Sequence, residues 1–137
     1  MDVKIISRKG EIIKDVNAGV LRALETMGLI AEGYAKRLCP VDTGRLRNSI
    51  THAIDGESAA IGSYTDDKGG GPWGYSGSTE KEQGENVRSV YIGTNVEYAP
   101  IVELGGYHRK ATHFLKRAVQ GHNEEYKQII TESLQKS

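Results

Sequence analysis

Cys39-Pro40-Val41-Asp42-Thr43-Gly44-Arg45-Leu46-Arg47-Asn48-Ser49-Ile50 divides the chain into two kinds of sequence. Upstream of it the apolar residues recur at helical spacing, and downstream they recur at strand spacing. Pro40 cannot continue a helix and disfavours the α region at Cys39, so a helix arriving from upstream must stop there. Asp42 and Thr43 can turn their side-chain oxygens onto nearby backbone N–H groups, and Gly44 accepts positive φ. Arg45 and Arg47 flank the apolar Leu46, and Ser49-Ile50 open a run that alternates like a strand. The stretch reads as a rigid, positively charged elbow. Its two arginines are expected to hold it against carboxylates of this chain or of an adjacent one.

Upstream, Val16, Val20, Ala23/Leu24, Met27, Ala31, Tyr34/Ala35 and Leu38 form one stripe, which predicts a long helix over 12–38. Such a helix is about 35–40 Å long, more than a domain of this size needs, and that suggests a neighbour. Gly19, Gly28 and Gly33 each cost about 1 kcal/mol of helix propensity against Ala. Packing inside the chain or against another subunit must outweigh that cost.

Downstream, Ser49 to Ile54 followed by Asp55-Gly56 and by Ser58 to Ser63 reads as a hairpin, so 39–63 is assigned as elbow plus hairpin. A clearer strand covers 87–93, with Val87, Ser89 and Tyr91 on one face and Arg88, Val90 and Ile92 on the other. Between them, 64–86 is a long loop insertion containing Gly69-Gly70-Gly71-Pro72-Trp73-Gly74-Tyr75. Loops of this length in compact domains are usually functional or disordered. Pro100 suits the first turn of a short helix over 100–104, which Gly105-Gly106 ends. Thr112 is placed to cap a last helix over 113–134. The expected architecture is one α+β domain, 1–137. In it a long N-terminal helix packs on a small antiparallel sheet, with a C-terminal helix and a long Gly-rich loop insertion.

With 137 residues, eighteen basic and eighteen acidic side chains, the chain has no net charge to mark it as a nucleic-acid binder. Neutrality instead permits self-association. The single cysteine, Cys39, excludes an internal disulfide and reads as a small buried apolar residue. Residues 1–10 carry an apolar run too short for a signal-peptide core or a membrane span, which points to a cytoplasm-like compartment.

No nucleophile elbow, phosphate-binding glycine loop or paired-carboxylate spacing stands out, so neither catalysis nor a cofactor is expected. Gly69 to Gly71 runs into Pro72-Trp73 and not into a lysine and a helix. Asp66-Asp67 reads as a solvated turn. His108 and His113 lie five apart where helical zinc ligands need four, and Glu103 joins them only if the Gly105-Gly106 turn folds back, so no metal site is expected. The basic pairs Lys36-Arg37, Arg45/Arg47, Arg109-Lys110 and Lys116-Arg117 are either separate solvated charges or one patch facing an acidic partner or DNA. Trp73 and Tyr75, in a loop rich in acidic residues, suit protein contacts better than nucleic acid. On this reading the loop reaches a neighbouring subunit.

Three segments taken in order resemble one family. They are the elbow Pro40 to Ile50, the strand and turn Val90-Tyr91-Ile92-Gly93-Thr94-Asn95-Val96-Glu97-Tyr98-Ala99-Pro100-Ile101-Val102-Glu103-Leu104-Gly105, and His113-Phe114-Leu115-Lys116-Arg117-Ala118. The chain resembles the head–tail joining, or tail-completion, proteins of the neck of long-tailed bacteriophages and prophages. The resemblance implies the same α+β fold and no catalysis. It implies a virion protein, made in the host bacterial cytoplasm, that assembles with itself into a ring, taken as a hexamer. Its implied partners are other neck and tail proteins: a head-completion or stopper protein, and a tail terminator or tail tube. Contact with passing DNA is the alternative, and no membrane is involved. The candidate interaction residues are Arg45, Arg47, Trp73, Tyr75, Tyr98, Glu103, Arg109 and Lys110. Two features depart from the family pattern. His113 stands where proline commonly precedes the Phe-Leu pair, and 64–86 is longer than the usual hairpin link.

Overall fold

The computed structural model describes residues 2–8, 17–54, 62–76, 87–106 and 108–135. Helix α1 (Asn17–Leu38) is the spine. Val20, Ala23, Leu24, Met27, Ala31 and Ala35 of its apolar stripe are all buried, with Tyr34 and Leu38 at the margin. Twenty-two residues give a length of about 33 Å. Residues 12–16 of the expected helix lie outside the described residues. Lys36 and Arg37 in the last turn complement the helix dipole. The helix stops as Pro40 dictates, with a closing bond of 2.9 Å from the Cys39 N–H to the Ala35 carbonyl.

The elbow turns on Gly44, at φ 89°. The Thr43 hydroxyl oxygen accepts the Arg45 N–H at 3.2 Å. A five-residue helix, α2 (Arg45–Ser49), follows. Strand β2 (Thr51–Ile54) therefore begins two residues later than the alternation from Ser49 suggests. Local bonds hold the extra turn: Asn48 N–H to Gly44 O, 2.9 Å, and the Ser49 hydroxyl to Leu46 O, 2.6 Å. Such short side-chain-to-backbone bonds compete with strand formation.

The sheet is antiparallel, with β5 (Val87–Gly93) at its centre between β1 (Asp2–Arg8) and β2. The sequence reading assigns no element to 2–8. The register sets Val3 and His52 opposite Ile92, and Ile5 and Ile54 opposite Val90. These residues share the face that meets α1, where Val90 and Ile92 are completely buried. Lys4 and Tyr91 lie on the other face, the ammonium 5.8 Å from the ring centroid.

Two expectations need correction. β2 pairs with β5, while the described end of the expected returning strand, β3 (Ser63–Tyr64), pairs with β4 (Trp73–Gly74). Residues 55–61 lie outside the described residues. The single helix expected over 113–134 is two, α4 (Phe114–Gln120) and α5 (Asn123–Gln135). The break falls at Gly121-His122, where a glycine weakens the helix and the His122 ring stacks on Tyr34 with centroids 3.5 Å apart. The Tyr126 hydroxyl bridges the break to the Ala118 carbonyl at 2.6 Å.

Both helices lie along α1, burying Phe114, Leu115, Ala118, Val119, Tyr126 and Ile130 in the same core as the sheet. Fully burying one such large apolar side chain contributes about 1.5–3 kcal/mol. In chain order between the last strand and the helix pair comes α3 (Ala99–Leu104), with Pro100 in its first turn and Gly105, at φ 84°, ending it.

A candidate interaction surface at the elbow

Five of the eight candidate interaction residues meet at the elbow. Arg45, the first residue of α2, lays its guanidinium 4.5 Å above the Trp73 ring centroid and 5.6 Å from that of Tyr98. It also grips Glu97 with two bonds, Nη1 to Oε1 at 3.0 Å and Nη2 to Oε2 at 2.9 Å. Planar bidentate pairing combined with stacking is a task for arginine and not lysine. The Glu97 carboxyl is held below its usual range by its own backbone N–H and by Arg45.

Arg47 reaches the opposite way and pairs with Asp67. Asp67 also accepts a bond from Asn48 Nδ2 at 3.1 Å, and its backbone N–H donates to the Thr43 carbonyl at 2.7 Å. Hydrogen bonds from Asn48 and Arg47 keep the Asp67 carboxyl below the usual range. Asp67 is thus a clasp, where the sequence suggests only a solvated turn. Asp66 does shape that turn, accepting the N–H groups of Lys68 and Gly70 at 2.9 and 2.6 Å. The elbow arginines hold carboxylates of their own chain.

Segment 62–76 consequently folds back on the elbow. Tyr64 is buried, with Trp73 and Tyr75 half-buried beside it at centroid separations of 5.9 and 5.1 Å. The Tyr75 hydroxyl donates to Asn48 O at 3.3 Å, Tyr64 donates to Asn95 Oδ1 at 2.7 Å, and Asn95 Nδ2 donates to Gly74 O at 2.8 Å. Up to Ser76 the aromatic rings pack on their own chain and do not form an extended arm. Residues 77–86 lie outside the described residues.

Beside this clasp runs an apolar strip. Among the described residues the large apolar side chains left exposed are Leu29 (59 %), Val41 (52 %), Tyr98 (36 %), Ile101 (53 %) and Leu104 (62 %). Tyr98 at the N-cap of α3 and Ile101 and Leu104 within it succeed one another at three-residue steps, and Val41 joins Tyr98 in lining a cleft of about 250 Å³. Arg109 lines the same cleft, and the exposed Lys110 follows it. The strip is thus apolar with a basic edge.

Glu103 takes another part. It is 1 % exposed, and its carboxylate accepts the N–H of Leu115 at 2.7 Å and of Lys116 at 3.5 Å. It caps α4, the task the sequence suggests for Thr112. Thr112 instead donates both its N–H (3.0 Å) and its hydroxyl (2.7 Å) to the Val102 carbonyl. Glu103 is therefore not on the exposed surface.

Sequence reasoning overlooks Glu97, Asn48 and Asn95, which hold the clasp, and a charged cluster around His52. Strand alternation marks His52 as a polar residue on a buried face, and that was the available signal. Cys39 is 5 % exposed, its thiol donates to Pro40 O at 3.4 Å, and burial pushes its pKa up to about 11. Among the described residues no group of three or more His, Cys, Asp or Glu side chains is arranged to hold a metal, and no helix is long and apolar enough to cross a membrane.

A clasped turn beside an exposed apolar strip, on a small α+β scaffold, is the arrangement these residues build. The chain belongs to the family described as "Bacteriophage HK97-gp10, putative tail-component", whose model matches residues 4–105. It is therefore a member of a family of structural phage tail components. The matched span runs from β1 through the glycine that ends α3, and leaves α4 and α5 outside. No curated protein and no solved structure matches the chain. His113 stands at φ 50°, a conformation proline cannot adopt, and its N–H donates to the Glu103 carbonyl at 3.0 Å.

Proposed function

We propose that this chain is a non-enzymatic neck or tail protein that assembles into a ring, completes the phage tail and joins it to the head. The observation that carries this reading is the exposed strip Val41, Tyr98, Ile101 and Leu104 with its basic edge. A ring requires heterologous contacts, two different faces per subunit. The strip supplies one. The outer side of α1 supplies a second, where Leu29 is exposed and Gly33, one turn on, has only Arg37 Nη2 (3.8 Å) near the position of a Cβ. Arg109 and Lys110 then meet acidic groups of the neighbouring subunit or of the next neck protein.

The first test is electron microscopy of particles from a producer strain in which the gene carries Ile101→Asp and Leu104→Asp. Filled heads separated from tails, together with a variant that still folds by circular dichroism, support the reading. Intact infectious virions refute it.

A second reading has its own observation. Leu38, His113, Lys116, Arg117, Gln120, Gly121 and His122 line a concavity of about 490 Å³, and Arg37 lies nearby over Tyr34. This basic face is suited to a DNA backbone passing through the channel. Duplex binding that falls steeply with salt, and more weakly after Lys116→Glu and Arg117→Glu, favours it. Absence of binding at low salt removes it.

A further inference from the structure

His52 projects from β2 toward α1 and is 13 % exposed. Both of its ring nitrogens meet a carboxylate. Nε2 lies 2.6 Å from Glu25 Oε1, and Nδ1 lies 3.1 Å from Glu32 Oε1. Glu25 and Glu32 are seven residues apart, two turns on one face of α1. Gly28 lies between them, and a Cβ built there would stand 2.7 Å from His52 Cδ2. The missing side chain is what lets the imidazole settle against the helix.

A neutral imidazole carries one N–H, so it can donate to one of these carboxylates and must turn a lone pair toward the other. Only the imidazolium donates to both. We infer that His52 is a proton-keyed latch, fastening the edge strand β2 to two turns of α1 when protonated and releasing one carboxylate when it loses its proton.

The surroundings fit this reading. On α1, Lys36 Nζ lies 3.4 Å from Glu32 Oε2, so two carboxylates face one ammonium and one imidazolium. From β5, Ile92 stands opposite His52 in the register and Val90 reaches the same Gly28, both apolar. From segment 62–76, the Tyr75 phenol has its pKa raised by burial first and then by the charge of nearby Glu32. Hydrogen bonding to Glu32 raises the His52 pKa above the ordinary 6.5; burial opposes that, and Glu25 adds to it. For Glu32 burial works against the charged form, but the bond to His52 and the nearby Lys36 outweigh it and keep the carboxyl below its usual range. The shared proton therefore resides on the histidine.

A folded-state pKa above the unfolded one gives stability that is complete below the unfolded value and lost as pH rises through the folded one. The latch therefore holds below the unfolded histidine value and lets go as pH rises through the raised folded-state one. The deciding measurement is ring-nitrogen NMR of the full chain, with the His52 signals assigned by their loss in His52→Gln. The expected result is an imidazolium with both nitrogens protonated and a titration midpoint above 6.5. Glu25→Gln, at a carboxylate 57 % exposed and so mild for the fold, should lower that midpoint and flatten the fall in Tm as pH rises through it. A His52 midpoint at or below the ordinary value overturns the latch, as does a fall in Tm with rising pH of equal steepness in Glu25→Gln. If His52→Gln fails to fold, selective ¹⁵N-histidine labelling compared between the wild type and Glu25→Gln decides the same question.

Discussion

Replacing Gly28 by Ala tests the packing of helix against sheet most directly. By propensity alone the change gains about 1 kcal/mol. The structure reverses the sign. An alanine Cβ at this position would stand 2.7 Å from His52 Cδ2 and 2.7 Å from Val90 Cγ2. Carbon atoms normally rest about 3.5–4.0 Å apart, so about 1 Å must be found on two sides at once. Val90 is completely buried and cannot retreat. His52 can move only by lengthening its bonds to Glu25 and Glu32. Overpacking of this kind costs about 1–3 kcal/mol, and weakening a charge-assisted bond adds to it. The net expectation is a loss of about 1–3 kcal/mol, or about 4–12 °C in Tm for a chain of this size. Gly33→Ala is the internal control. Its Cβ meets only the flexible end of Arg37, so the folded subunit should gain about 1 kcal/mol. Urea unfolding followed by far-UV circular dichroism at neutral pH measures both. A Gly28→Ala protein as stable as the Gly33→Ala protein would show that the close approach of His52 to α1 is wrong.

Three other outcomes follow from the same structure. Glu103→Ala leaves the buried Leu115 N–H without its acceptor and uncaps α4, so it should cost about 2–3 kcal/mol in a denaturant titration, while Glu103→Gln, which keeps an amide oxygen, should cost visibly less. A loss equal in the two variants would remove the capping role. Cys39, with its thiol pKa pushed up to about 11, should resist a thiol reagent in the native protein and react fully once unfolded; rapid native reaction would contradict its burial. Asp67 and Glu97 have carboxyls held below the usual range, so the clasp they make is intact above that range and is lost as pH falls through their lowered values. Emission from Trp73, the only tryptophan, should shift to the red in that acid window before circular dichroism changes, and a simultaneous change would mean segment 62–76 does not undock separately.

Where residue chemistry acts locally, the sequence is readable. Pro40 and Gly44 mark the elbow because one removes a donor and the other takes positive φ, and both effects are fixed by a few neighbouring atoms. The buried stripe of α1 follows from helical period alone. Pairings between distant residues are different. Nothing near Ser63 says that it faces Gly74 and not β2, since the choice rests on Asp67 and Tyr75 reaching the elbow. β1 hides because one apolar run of a few residues has no partner until β5 is placed beside it. The break at Gly121 falls inside a stripe that continues unbroken, so periodicity passes over it, and only the stacking of His122 on Tyr34 makes it visible. Among the candidate interaction residues, charge type identifies Arg45 and Arg47 but not their partners, and Glu103 looks exposed until α4 is laid against it.

The order of the chain also constrains its synthesis. β5 is the central strand, yet it is translated after both of its neighbours, so β1 and β2 leave the ribosome with no partner to join. Helix α1 waits longer. Its apolar face is covered by α4 and α5, and the Ser133 hydroxyl closes onto the Gly19 carbonyl at 2.7 Å, more than a hundred residues downstream. Until residue 133 has cleared the exit tunnel the nascent chain carries a helix that the sheet alone can cover, with the part of its apolar face that α4 and α5 will bury still open to a chaperone.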